Sequence, residues 1–258
     1  MYLKWAEETI TDFSDSNINS LYNQGYLFTR VGKGVMNQTR SIRIDLERFK
    51  LTSENRRILK KTEGLQITNY QLPITNYHWS IGKMAKDFYD TKFGEGVFSA
   101  NKVKKLLTDE KKSNFNRLLT FVIPAQAGVQ ESNAMDPRFH GDDKTGSEGE
   151  KTDNGSGKKD VGYAICLETD ELLHYCYPFY VLCPTSYTFN PNTGLGMMLK
   201  AILWAKEQGK KHVYLGSAQR PTDTYKLQFE GLEWFDGEKW SEDLEGLKTV
   251  LVDRDKLR

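Results

Sequence analysis

Gly194-Leu195-Gly196 follows Asn192-Thr193 and opens an apolar run, Met197–Gln208, in which Met198, Ile202 and Ala205 share one face and Gly209 supplies a stop. Two glycines at a helix start let backbone N–H groups approach an anionic group, although a plain helix-entry turn uses the same residues. Basic side chains are clustered as well. Arg40 to Lys61 holds eight Lys/Arg against three Asp/Glu, and a second run carries Lys102, Lys104, Lys105, Lys111, Lys112 and Arg117. Such runs either bind phosphates, which arginine grips bidentately, or form solvated helix faces. The four histidines, His78, His140, His174 and His212, have neither metal-ligand nor triad spacing, although His174 and Cys176 fall on one strand face. Cys166, Cys176 and Cys183 are odd in number and lack CxxC spacing, so buried, reduced thiols are expected, with no metal and no disulfide framework.

These residues need elements to hold them. Ser14–Leu21 has short helical character, and Tyr26, Phe28 and Val31 alternate between the glycines Gly25, Gly32 and Gly34. Ser41–Leu46 alternates with period two, and Leu51–Lys61 begins with a capping residue before a helical run. Further on, Val161–Glu168 and Leu172–Cys183, rich in Tyr, Val and Ile, predict a hairpin turned at Thr169-Asp170-Glu171, and His212–Leu215 predicts another strand after the helix. The order strand, strand, helix, strand favours an α/β architecture.

Two stretches stand apart. In 66–77 ITNY occurs twice, at Ile67–Tyr70 and Ile74–Tyr77, a spacing too short for a solenoid, so a surface loop is expected. The segment Phe121–Asp160 passes into a Gly, Ser, Thr and charge-rich tail that cannot bury enough apolar surface to order itself. Val122-Ile123-Pro124 and Gly141-Asp142-Asp143 can be encoded by reverse-complementary codons, as the arms of a translated inverted repeat would be. We therefore expect 121–160 to be a disordered insertion. The 36 Lys+Arg against 35 Asp+Glu exclude a polyelectrolyte or histone-like chain, so no DNA partner is expected. Neither a membrane span nor a secretory leader is legible, which makes the cytoplasm the expected location.

A longer pattern joins these pieces. Tyr214-Leu215-Gly216, a polar loop, Tyr225-Lys226-Leu227-Gln228-Phe229 and then Asp236-Gly237-Glu238-Lys239-Trp240 resemble the C-terminal half of arginyl- and leucyl-tRNA–protein transferases, the aminoacyltransferases of the N-degron pathway. Upstream, Gly25-Tyr26, Thr29-Arg30, Arg40–Ile44 and Ser53-Glu54-Asn55-Arg56-Arg57 resemble that family's GxRR, PVRV and SxxQRR segments in order. Cysteines that members carry before the PVRV segment are replaced by residues such as Gln38, Thr39 and Ser41, so no cluster-linked redox role is implied.

The resemblance implies a GCN5-related N-acetyltransferase-like fold, a mixed sheet flanked by helices. It implies residues 1–65 as a basic substrate- and tRNA-binding region, and 78–120 with 161–258 as the acyltransferase-like part. The donor would be aminoacyl-tRNA, carrying Arg or Leu, with no other cofactor, and the acceptor the α-amine of a protein or peptide N-terminus. Tyr225 would donate a hydrogen bond near the reacting ester, and Lys226 would pair with an acidic residue or a phosphate. Arg30, Arg43, Arg56 and Arg57 would bind anions, and Gly194, Leu195, Gly196 and Gly216 would shape the donor's wall. Two further readings stand beside this one: an acetyl-CoA-dependent N-acetyltransferase, against which Pro191 counts because that fingerprint places Gln or Arg three residues before its first glycine, and a non-catalytic tRNA- or degron-binding relic.

Overall fold

The computed structural model describes residues 3–124, 158–182 and 191–253. Its elements run β1 (Ala6–Thr9), α1 (Asp15–Asn23), β2 (Tyr26–Phe28), β3 (Val35–Gln38), β4 (Ser41–Asp45), α2 (Ser53–Lys61), β5 (Gln66–Gln71), α3 (Trp79–Phe93) and α4 (Ala100–Thr108). They continue with β6 (Arg117–Pro124), β7 (Lys158–Glu168), β8 (Leu172–Tyr180), α5 (Thr193–Glu207), β9 (His212–Ser217), a 3-10 helix (Pro221–Gln228), β10 (Leu232–Phe235), β11 (Trp240–Ser241) and α6 (Leu244–Asp253). The fold is mixed α/β. One eight-stranded sheet, ordered β11-β10-β4-β9-β8-β7-β6-β5, carries helices on both faces, and a three-stranded sheet, β1-β3-β2, lies beside it.

Period-two alternation divides the core into two layers. Leu119, Phe121, Ala164, Leu173, Val213 and Leu215 face a layer shared with α2, α5 and α6, whereas Leu118, Ile165, Leu167, Leu172 and Tyr214 face α1, α3 and α4. Local chemistry starts the helices: Thr52 and Asn55 form a reciprocal capping box at α2, and Ser99 Oγ accepts from the Lys102 N–H at α4. The β7–β8 hairpin and the α5 and β9 elements form where expected; Cys183 and His140 lie outside the described residues. Val31, expected to continue a strand, is instead exposed in the turn after β2.

Three boundaries are corrected. Residues 66–71, expected in a loop, form the edge strand β5, paired with β6 from Gln66↔Val122 to Gln71↔Arg117, because Ile67, Thr68 and Tyr70 suit an extended, half-exposed strand. Residues 121–124 and 158–160, expected in the insertion, are paired strand ends, with Phe121 fully buried; the remainder of that segment, 125–157, lies outside the described residues. The 1–65 region is not set apart either, since β4 sits inside the main sheet between β10 and β9.

Candidate functional site at the splayed ends of two parallel strands

Among the pairs within the large sheet, β8 and β9 alone run parallel, and their pairing stops at His174↔Tyr214 although β8 continues to Tyr180 and β9 to Ser217. Two irregularities aim side chains into the gap that opens there. In β8, Ile165 pairs with Tyr177 but Cys166 pairs with Tyr175, so Cys176 is the extra residue of a bulge and joins Tyr177 on the α3 side of the sheet. In β9, the register against β4 slips between Ser41↔Ser217 and Arg43↔Tyr214, and Gly216 occupies the left-handed region at φ 81°. A side chain is excluded at Gly216 by that backbone conformation, since no atom crowds the space a Cβ would fill.

The gap is a cavity of about 500 Å³. His174, Cys176 and Tyr177 of β8, Leu215–Ser217 of β9, the turn after β2, and Tyr89 and Phe93 of α3 form its walls. Three cations line it, Arg30, Arg220 and Lys226, and among the described residues no carboxylate does. Arg30 is held by its bond to the Val97 carbonyl at 2.9 Å and by stacking 4.5 Å above the Phe98 ring. Lys226 is buried on the 3-10 helix, where its Nζ donates to the Ser217 carbonyl at 2.9 Å and stands 3.8 Å from Asp223 Oδ1. Burial lowers its pKa, opposed by the nearby Asp223. Asp223 itself accepts the backbone N–H groups of Gln219 and Arg220, which fixes the start of that helix and the position of Arg220.

His174 lies at the cavity floor, 1% exposed, with Nδ1 2.9 Å from the Tyr22 hydroxyl and Nε2 without a partner. Burial, with Lys226 adding repulsion, pushes its pKa down to about 3, so the ring is neutral. Cys176 is pushed up to about 12 by burial, which leaves it a thiol rather than a nucleophilic thiolate. Among the described residues, no group of three or more His, Cys, Asp or Glu is placed to hold a metal.

The residues expected from sequence therefore separate. Arg30, Gly216 and Lys226 meet in the cavity. Tyr225 stands outside its lining, half-exposed, with its ring 5.8 Å from Lys226 Nζ. Arg43 is elsewhere: its guanidinium binds Glu233 at 2.7 Å and lies 3.9 Å from the Trp240 ring, tying β4 to β10 and β11. Arg56 and Arg57 are exposed on α2, Arg56 bonded to the Leu51 carbonyl and Arg57 paired with Glu54. At the start of α5, a Cβ on Gly194 would meet Tyr180 and one on Gly196 would meet Thr62 at 2.6 Å, while Leu195 packs on the core. Those glycines serve packing within the fold. Sequence reasoning missed Arg220, whose one signal is an arginine just before the Pro221 that opens a helical turn, and missed Tyr22, Tyr89 and Phe93, which carry no local signal.

No family model matches the chain, and no curated protein matches it. Solved structures similar to it include L-PGS from Bacillus licheniformis, at TM-score 0.43 and 13% identity over 93% of this chain and 69% of that one. FemX is similar at TM-score 0.41 and 10% identity, over 91% and 64% of the two chains. A GCN5-related glucosamine N-acetyltransferase region of a fungal multi-domain β-N-acetylglucosaminidase is similar at TM-score 0.38 and 9% identity, over 88% of this chain and 22% of that one. All three scores lie below 0.5, so the functional reading rests on the chain's own residues.

Proposed function

We propose that the chain is an aminoacyl-tRNA–protein transferase of the cytoplasm, moving Arg or Leu from tRNA to the α-amine of a protein N-terminus. The observation that carries this reading is the cationic cavity at the β8–β9 splay, without a carboxylate among its described lining residues, to which the segments that carry the sequence resemblance contribute Leu215, Gly216 and Lys226. Arg30, Arg220 and Lys226 provide a field for an anionic group, either a phosphate near the tRNA terminus or an acidic side chain of the acceptor.

The aminoacyl ester is already activated, so catalysis reduces to positioning and charge stabilisation. The neutral α-amine attacks the ester carbonyl, a C–N bond forms as the bond to the ribose oxygen breaks, and the proton lost from nitrogen ends on the ribose hydroxyl. No covalent enzyme intermediate is needed, in keeping with a half-buried Cys176 held as a thiol. Gly194 and Gly196, filled around by Tyr180 and Thr62, give no support to the acetyl-CoA reading.

The test is transfer of labelled amino acid from total charged tRNA to peptides beginning with Asp, Glu or a basic residue, with labelled acetyl-CoA as a parallel donor. Label from tRNA alone is expected. Label from acetyl-CoA alone would replace this reading with an acetyltransferase, and silence from both donors, in a folded chain that binds tRNA, would point to a non-catalytic relic.

A further inference from the structure

His174 presents a buried nitrogen that the protein leaves unused. Tyr22 is completely buried, and its hydroxyl meets two groups, the Phe28 N–H at 3.4 Å and His174 Nδ1 at 2.9 Å. The backbone N–H can only donate, so the one acceptor available to the hydroxyl hydrogen is Nδ1. That bond forbids a proton on Nδ1, and a neutral imidazole then carries its proton on Nε2. The fold thus holds His174, a residue of the cavity wall, in a fixed ring orientation with a buried Nε2–H donor that has no acceptor among the described residues. An unsatisfied buried donor calls for a missing acceptor, either a trapped water or a ligand. No carboxylate among the described lining residues could swing in to serve.

We propose that His174 is a catalytic residue whose Nε2–H donates to the carbonyl oxygen of the transferred aminoacyl group, with Tyr22 as the positioning residue that fixes its tautomer. The proposal rests on the transferase reading above. As the amine adds to the ester, the carbonyl oxygen gains negative charge and the hydrogen bond strengthens; as the ribose oxygen departs, the charge returns to the carbonyl and the donor keeps its proton. Nε2 is covered, so the bond requires side chains of the cavity wall to shift and admit the acyl group. Lys226, Arg30 and Arg220, the cations that line the cavity, favour an oxygen that is gaining negative charge.

The experiment uses protein carrying 15N-histidine, two-bond 1H–15N spectra, and a non-hydrolysable 3′-amide of arginyl- or leucyl-adenosine as the probe. His174→Gln, which keeps an N–H near the Nε2 position, identifies the His174 signals by their loss. The expected spectrum shows a neutral ring protonated on Nε2, mixing with the Nδ1 form in Tyr22→Phe, and an Nε2 signal that moves when the amide is added. In the transfer assay, His174→Asn, whose amide reaches only the Nδ1 position, should lose at least about tenfold in kcat with KM within about twofold. His174→Gln should recover most of that loss, and Tyr22→Phe should fall between the two. A ring protonated on Nδ1, an Nε2 signal indifferent to the amide because a buried water holds it, or full activity in His174→Asn would overturn the proposal. If the wild-type chain transfers nothing from charged tRNA, the transferase reading fails, and the response of the Nε2 signal to the amide still decides whether His174 is a donor to an acyl oxygen.

Discussion

Lys226 and Arg57 were both expected from the resemblance to meet an anionic group, yet their surroundings predict different consequences of losing them. Lys226 is buried beside Ser217 and lines the cavity, whereas Arg57 is half exposed and neutralised by Glu54. A charge-assisted bond in a desolvated site contributes about 1.5–3 kcal/mol, while an exposed i,i+3 pair, screened by solvent, contributes little. Lys226→Met should therefore lower kcat/KM by about ten- to a hundredfold with the fold intact by circular dichroism, and Arg57→Ala should change it by less than about twofold. Equal effects would mean that tRNA docks on α2 instead.

The histidines make a second prediction at this scale. Burial pushes His174 down to about 3 and His212 to about 4. The unfolded chain, with histidines near 6.5, binds protons that the native chain refuses, so stability is full above the unfolded value and falls as pH drops from about 6.5 toward the folded values. The slope is about 1.4 kcal/mol per pH unit for the buried His174 and smaller for His212, which solvent partly screens. Urea midpoints should thus fall between pH 7.5 and pH 5, and His174→Gln should remove at least half of that fall. An unchanged slope would show that His174 is not a buried neutral ring in the native state.

At the scale of elements, the Gly194-x-Gly196 start of α5 looked in sequence like a place for a ligand, and the structure fills it with protein. A Cβ at Gly196 would stand 2.6 Å from Thr62 Oγ1, where α5 meets the end of α2, and Thr62 is stiff at its branched Cβ. Gly196→Ala should cost about 1–3 kcal/mol by overpacking, read as a lower thermal midpoint, with KM for aminoacyl-tRNA unchanged in the folded fraction. A raised KM at unchanged stability would restore the ligand-wall role. The same segment shows what sequence patterning can and cannot convey. Apolar spacing and Gly209 located the helix, but which face of its first turn meets another helix depends on the placement of α2, from a distant part of the chain.

For the whole molecule, the β6–β7 pairing runs from Arg117↔Cys166 to Pro124↔Lys158, so the two strand ends that frame residues 125–157 are already neighbours. Joining Pro124 to Lys158 through an Asn-Gly turn should leave the thermal midpoint within a few degrees or raise it, because loop-closure entropy grows only slowly with length. Deleting 121–160 instead would remove the fully buried Phe121 and the 5% exposed Val122, at a cost of about 3–5 kcal/mol for the phenylalanine alone. A melting comparison of the two deletions tests where the fold ends.

Helices α1, α2 and α5, the β7–β8 hairpin, the β9 strand and the α/β class were legible because they follow from local chemistry: capping residues, period-two and helical apolar spacing, and glycine stops. Arg30, Gly216 and Lys226 were singled out in sequence through their motifs, and the structure brings them to one cavity. The edge strand at Gln66–Gln71 was not, since its exposed, repetitive residues become a strand only through pairing with β6. Nor could sequence separate Arg43, which clamps β4 to β10, from Arg30, which faces the cavity: both are arginines beside strands, and only the strand order β11-β10-β4-β9-β8 places Glu233 beside one and an open gap beside the other. The cavity itself arises from the splay of two parallel strands and a bulge at Cys176, and its unpaired nitrogen arises from a tyrosine 152 residues away in sequence from His174. Local propensity determines which segments become helices and strands; long-range pairing and burial decide which side chains meet, and which are left with a hydrogen bond still to make.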